Sequence, residues 1–338
     1  MIGVTQSGLV VLIAAAAFSA GLIVLLRPLL VRYAMARPNS RSSHREPTPQ
    51  GGGIAVVGAT LGISAAAIAA TTGNAALGPL IPVFGAALLL AVVGAIDDIR
   101  ALPAGIRIVL HALAFGAVLA SLPAEMRVFP LLSVSAERAL LLLGGVWMIN
   151  LVNFMDGIDW MTVAETAPVT AGLALIGFLG GLPDHASLFA LALLGAMLGF
   201  APFNRPVARL FLGDVGSLPI GLLLGWLLVL LAGNGHYAAA VILPLYYLAD
   251  ATLTLLRRLT KGERVWLAHR THFYQRATDH GFTVPLIVGR VFLTNLALVA
   301  LSVFSVMMRS GVAQLAALAI AAVLVTFLLV QFSRKPAQ

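Results

Sequence analysis

Leu140-Leu-Leu-Leu-Gly-Gly-Val-Trp-Met-Ile149 runs directly into Asn150-Leu-Val-Asn153-Phe-Met-Asp156-Gly-Ile-Asp159. The apolar run reads as the body of a membrane helix, and two Asn and two Asp stand where that helix should end. Ionisable groups at membrane depth are costly and mark functional positions by default. For this stretch alone, a plain polar helix terminus with Asp156-Gly157 as a turn is the simpler alternative. The rest of the chain weighs against it by bringing further Asp, Arg and His to the same side.

The surrounding sequence is equally apolar. Of 338 residues, 60% are hydrophobic and only 10% charged, and the mean hydropathy is +1.00. A soluble globular domain does not have this composition. The fold class expected is an all-α, polytopic membrane helix bundle. At about 20 apolar residues per crossing, eleven spans are expected. They fall near 7–26, 53–71, 78–96, 105–121, 138–153, 163–181, 186–203, 217–233, 237–257, 284–308 and 312–332. Residues 1–338 are expected to form a single integral membrane domain, with 258–283 as a histidine- and arginine-rich loop between spans nine and ten. The absence of cysteine excludes disulfides and thiolate metal sites. Residues 1–6 carry no basic segment and Leu9–Leu26 is long enough to span, so the N-terminus does not read as a signal peptide.

Orientation follows from the basic residues, which concentrate in cytoplasmic loops. Eighteen of the 21 Lys and Arg fall on one side of the eleven spans, leaving Arg127, Arg138 and Arg309 on the other. The N-terminus is therefore expected outside and the C-terminus inside. Asp97, Asp98, Asp156, Asp159, Asp214, His44, His269 and His272 then all fall on the cytoplasmic side. The net charge of +8 is largely this topological bias. Basic residues that flank spans, without a soluble basic domain, argue against nucleic-acid binding.

Four further stretches carry chemistry. Arg41-Ser-Ser-His44-Arg45-Glu-Pro-Thr-Pro-Gln50-Gly-Gly-Gly53 cannot form regular helix. Free N–H groups at a Gly-rich turn before a helix suit an anion, with His44 and Arg45 as phosphate contacts; a flexible loop is the alternative. Asp97-Asp98 ends span three, where carboxylates oppose the helix dipole, and the two side chains should point different ways. Phe211-Leu-Gly-Asp214-Val-Gly-Ser217 offers a Gly-flanked Asp that can approach Mg²⁺, or else an N-cap supplied by Asp214 or Ser217. His269-Arg270-Thr-His272 puts cations beside imidazoles, favouring phosphate; the alternative is a basic amphipathic helix lying on anionic lipid. Asp250, inside span nine, is read as structural with Arg257 or Arg258 as partner. His111, Glu165 and His280 are read as local hydrogen-bonding residues.

In this order and spacing, these stretches resemble the polyprenyl-phosphate N-acetylhexosamine-1-phosphate transferase family, or glycosyltransferase family 4, over roughly residues 10–330. The His-Arg-x-His and Phe-Met-Asp-Gly-Ile-Asp pair looks most like the branch that initiates O-antigen. The resemblance implies ten or eleven helices around a cytoplasmic cleft, with span nine bent. It implies transfer of a sugar-1-phosphate from a UDP-N-acetylhexosamine to undecaprenyl phosphate, releasing UMP, in a bacterial inner membrane. It implies Mg²⁺, with Mn²⁺ as an alternative, at Asp214. Asp97 and Asp98 match the catalytic pair, with Asp97 engaging the lipid phosphate. Asn153, Asp156 and Asp159 match positions near the nucleotide, and Phe211 one that stacks on uracil. His269, Arg270 and His272 match the loop that contacts donor sugar and diphosphate. The oligomeric state stays open, a homodimer included. The chain departs from the family pattern at Ala36, Gln50, Ala101 and Trp160. Outside the resemblance, a secondary transporter of an anionic solute is the competing reading. Transporter sites lie near the bilayer midplane, however, whereas these acids gather at one face.

Overall fold

The computed structural model describes residues 2–36, 46–123, 125–265, 269–308 and 310–335. Thirteen helices carry the fold: α1 Ile2–Tyr33, α2 Gly53–Thr72, α3 Ile81–Ile99, α4 Ala104–Ala120, α5 Val134–Met155, α6 Met161–Phe178 and α7 Asp184–Phe200. They continue with α8 Asp214–Gly233, α9 Tyr237–Ile242, α10 Leu245–Thr260, α11 Phe273–Asp279, α12 Val284–Met308 and α13 Gly311–Phe332. Two two-residue strands, β1 Met35–Ala36 and β2 Thr48–Pro49, pair antiparallel.

Among the described residues nine helices are long and apolar enough to cross a membrane, and they match nine of the eleven expected spans. The other two differ. The span expected at 105–121 is α4, only 17 residues long. The span expected at 237–257 is broken into α9 and α10 at Leu243-Pro244, where proline cannot supply the helical N–H. Large apolar side chains such as Leu25, Leu88, Leu143, Leu293 and Val323 are more than half exposed on the outer faces. Water does not tolerate so much contiguous apolar surface, and a bilayer does.

The bundle is organised on α8, the most enclosed of these helices. Its neighbours include α2, α3, α5, α7 and α9. In lipid, helices gain from close van der Waals approach, so small residues mark the contacts. A Cβ on Gly94 of α3 would sit 2.2 Å from the Asp214 carbonyl oxygen, and one on Gly53 of α2 would sit 2.2 Å from Gly216 Cα. The starts of α2 and α8 and the end of α3 therefore converge at one point. Buried polar residues stitch the rest. Asn295 of α12 donates to Glu165 of α6 at 2.7 Å, Asn150 bonds the His111 ring at 3.2 Å, and His280 bonds the Phe332 carbonyl at 3.0 Å. These are the local roles expected for Glu165, His111 and His280.

Candidate active site

The convergence of α2, α3 and α8 leaves a polar cleft of about 230 Å³, lined by Gln50, Asp98, Asp156, Gly157, Ile158, Asp159, Asn204, Phe211, Leu212, Gly213 and Asp214. The Gly run shapes its floor in a way the sequence did not suggest. The Gly52 and Gly53 N–H groups donate to the carbonyls of Phe211 and Leu212, both at 2.9 Å. Those donors are committed to the 211–212 segment and do not await an anion. A Cβ at Gly52 would strike the Phe200 ring at 2.6 Å, so the glycines permit packing. Gln50 donates its amide to the Asp98 carbonyl at 2.9 Å. His44 and Arg45 lie outside the described residues.

Asp97 and Asp98 diverge, as adjacent residues on a helix end should. Asp97 accepts Leu102 N–H at 2.5 Å and the Arg107 guanidinium at 2.8 Å. Asp98 turns to α8 and accepts the N–H groups of Asp214 and Val215 at 3.0 and 3.2 Å. A carboxylate misplaced at the C-terminus of its own helix thus sits at the positive end of another. The N-cap expectation for Asp214 or Ser217 is corrected here. Gly213, at φ +77°, is the cap residue and has no capping side chain of its own. Asp98 supplies the carboxylate in its place, and a Cβ at Gly213 would lie 2.6 Å from Asp98 Oδ2.

Asp214 is thereby released from capping. Its Oδ1 accepts the Asn153 amide at 2.7 Å, and the same amide reaches Ser217 Oγ at 3.0 Å. The Asp97 carboxyl lies within hydrogen-bonding reach of Asp214. Ionised carboxyl groups this close repel, and a proton, a cation or the Arg107 guanidinium beside Asp97 relieves that repulsion.

The rest of the 150–159 stretch forms the opposite wall. Asp156 accepts the Thr162 hydroxyl at 2.5 Å. Burial of its carboxyl, aided by Asp98 and Asp159, pushes Asp156 up to about 7. Asp159 Oδ2 accepts Ala208 N–H at 3.0 Å, bracing the loop that leads to Phe211. Asn204, absent from the expected site residues, accepts Trp160 N–H at 2.8 Å and lines the cleft. Nothing in its sequence context singles it out.

Residues 269–272 are not helical, so His269 and His272 do not share a helix face; their rings lie 4.8 Å apart by local packing. α11 begins after His272 and buries Tyr274 and Ala277, which excludes a surface helix resting on lipid. Its anchor is Asp250, fully buried. Asp250 Oδ1 accepts Phe273 N–H at 3.0 Å and meets His272 Nδ1 at 3.2 Å, while Oδ2 accepts Tyr274 N–H at 3.1 Å. The expected partners are otherwise engaged: Arg257 donates to the Thr271 carbonyl at 3.0 Å and Arg258 to Glu263 at 2.7 Å. One ring nitrogen of His272 is therefore committed to the fold. Arg270 donates to Thr278 at 3.0 Å and stands 3.5 Å from Asp279. None of His269, Arg270 and His272 lines the polar cleft. The loop is tied to it through Tyr274, whose hydroxyl donates to the Phe154 carbonyl at 3.1 Å.

The profile of glycosyl transferase family 4 matches residues 80–232, the part of the chain that supplies Asp97, Asp98, Asn153, Asp156, Asp159, Phe211 and Asp214. Over that region the chain is similar to glycosyl transferase family 4. It is also 25% identical over 292 residues to a probable undecaprenyl-phosphate N-acetylglucosaminyl 1-phosphate transferase of Bacillus subtilis (strain 168), covering 80% of this chain and 78% of that protein. His269, Arg270 and His272 lie outside the family-4 match, so their placement rests on the Asp250 anchor described above.

Proposed function

We propose that this protein is a phosphoglycosyltransferase of the family-4 type. It moves an N-acetylhexosamine-1-phosphate from a UDP-sugar to undecaprenyl phosphate, initiating an O-antigen-like surface polysaccharide at the cytoplasmic face of a bacterial inner membrane. An oxygen of the lipid phosphate attacks the β-phosphorus of the UDP-sugar. The bond from that phosphorus to the UMP oxygen breaks, giving polyprenyl-diphosphate-sugar and UMP. The observation that carries this reading is the meeting of Asp97, Asp98, Asn153 and Asp214 at the ends of α3, α5 and α8, three helices long and apolar enough to span, inside the family-4 match. A lipid-borne phosphate and a water-borne nucleotide can meet there. The excess of basic residues on the same side supports the cytoplasmic orientation.

The donor set suits a hard divalent cation. Mg²⁺ takes one or two carboxylates and fills its shell with phosphates and water. Asp214 has one oxygen beyond its bond to Asn153, and Asp97 stands beside it. Among the described residues no group of three or more acids and histidines is arranged as a metal cage, in keeping with a site completed by substrate. A cation held by Asp214 would neutralise charge as two phosphates approach, which is the main demand of phosphoryl transfer. The protein's own residues do the positioning. Asn153 fixes the Asp214 carboxylate, Asp98 fixes the backbone beneath it, and Arg107 holds Asp97 toward the acceptor phosphate. Phe211 offers its ring to the uracil from the cleft wall, with Asp156 and Asp159 near the nucleotide. Arg270 and His269 are the residues of this loop that would meet the donor diphosphate, and His272 holds the loop in place through Asp250.

A transporter reading needs a path past Asp250, but Asp250 is fully buried and engaged at both oxygens. The test is incubation of purified protein with undecaprenyl phosphate, Mg²⁺ and a panel of UDP-sugars, with mass spectrometry of the lipid. A mass gain of one sugar-phosphate with one donor is expected. No gain with any donor would refute the assignment.

A further inference from the structure

Beside the polar cleft lies a second cavity of about 520 Å³, between the starts of α6 and α12 and the segment after α7. Val163, Ala164, Val288, Gly289 and Phe292 make its apolar walls, and Arg205 is its one charged lining residue. Arg205 is exposed, and among the described residues no hydrogen bond or ion pair reaches it. The two cavities are back to back. Asp159 and Asn204 line the cleft, while their chain neighbours Trp160 and Arg205 line the groove. Among the described residues Trp160 is the one non-glycine with positive φ, +63°, a strained position that persists only where the surroundings impose it. Its N–H is held by Asn204, and its indole N–H donates to the Ala201 carbonyl at 2.6 Å. The wall is pinned from both segments.

We propose that this groove is a binding site for an anionic bilayer phospholipid, with an acyl chain between α6 and α12 and the head-group phosphate at Arg205. An apolar slot at the end of membrane helices, rimmed by an unpaired cation, has the complementarity such a lipid requires. The reacting polyprenyl phosphate fits this groove less well. A phosphate held at Arg205 lies across the Asp159–Trp160 and Asn204–Arg205 wall from Asp214, and three hydrogen bonds close that wall. The occupant is a second, resident lipid that braces the 201–211 segment from behind while Phe211 faces the cleft.

The test uses the full-length protein in phosphatidylcholine nanodiscs and reads quenching of tryptophan fluorescence by lipids brominated on the acyl chain. Of the four tryptophans, the Trp160→Phe variant identifies the contribution of Trp160. Brominated phosphatidylglycerol is expected to quench that component at about fivefold lower mole fraction than brominated phosphatidylcholine, the preference one interfacial cation gives. Arg205→Gln should bring the two lipids together. Gly289→Leu should abolish quenching by both, and it should fold, because a Cβ at Gly289 meets no atom within 4 Å. Equal quenching in the wild type, a preference that survives Arg205→Gln, or quenching untouched by Gly289→Leu would overturn the proposal. So would stronger quenching by brominated polyprenyl phosphate than by phosphatidylglycerol, which would make the groove the acceptor's. The readout is lipid contact rather than turnover, so it stands or falls apart from the transferase assignment.

Discussion

Asp98, at the end of α3, holds the first two N–H groups of α8, those of Asp214 and Val215, with its two carboxylate oxygens. The residue that organises the site and the residue that faces the substrate space are thus joined across 116 positions of sequence. Asp98→Ala leaves both N–H groups without a partner. It should cost about 2 kcal/mol of stability, the scale of hydrogen bonds to a charged group, and lower the thermal midpoint in detergent. Asp98→Asn keeps one acceptor and should fall between. Wild-type midpoints for both variants would show that the contact carries no weight.

Among the described residues, the Asn153 amide donates to Asp214 and Ser217. Removing a residue that orients a metal ligand typically costs about 10–100-fold in activity or metal affinity. Asn153→Ala should show that loss, mainly in the Mg²⁺ concentration needed for half-maximal UMP release. Unchanged Mg²⁺ dependence would mean that Asp214 does not depend on Asn153 for its position.

Asp250→Ala strips the N-terminus of α11 of its acceptor while leaving the cleft walls intact. Limited trypsin digestion should then cut faster at Arg264 and Arg270 than in the wild type, with Asp250→Asn partly protected. If the digestion rates match, the loop is held by something other than Asp250.

Asp156, pushed up to about 7 mainly by burial of its carboxyl, gives a pH signature. In the unfolded chain a carboxyl titrates near about 4. Between about 4 and about 7 the folded state therefore holds the proton more tightly. This group makes the protein more stable as pH falls through that window and less stable as pH rises. Asp156→Asn should flatten that slope in thermal melts taken across the window. A slope identical to the wild type would assign it to other groups.

Much of the site was legible because its residues are costly where they stand. Asp97, Asp98, Asp156, Asp159 and Asp214 are acids at the ends of apolar runs, and periodicity placed those ends within a few residues. Partner choice was not legible, because it depends on which helices meet. Asp98 reads locally as a carboxylate on the wrong end of its helix; only the approach of α8, allowed by Gly94, turns it into a cap. The Gly51–Gly53 run reads as an open anion site until the Phe211 and Leu212 carbonyls take the N–H groups of Gly52 and Gly53. Asp250 looks two turns from Arg257 and Arg258, yet the chain folds back and gives it α11. Two of the expected spans are not single long helices: α4 is short, and span nine breaks at Leu243-Pro244, the bend that the resemblance implied.

The central claim is that turnover depends on the Asp214 carboxylate as a cation ligand, steadied by Asn153 and freed from capping by Asp98. UMP release measured against Mg²⁺ concentration, for wild type and Asp214→Asn, tests it most directly. The substitution keeps the side-chain shape and leaves the cap untouched, because Asp98 provides it. The account predicts a curve that is strongly lowered and shifted to higher Mg²⁺, with the thermal midpoint preserved. A full-height, unshifted curve for Asp214→Asn would contradict it.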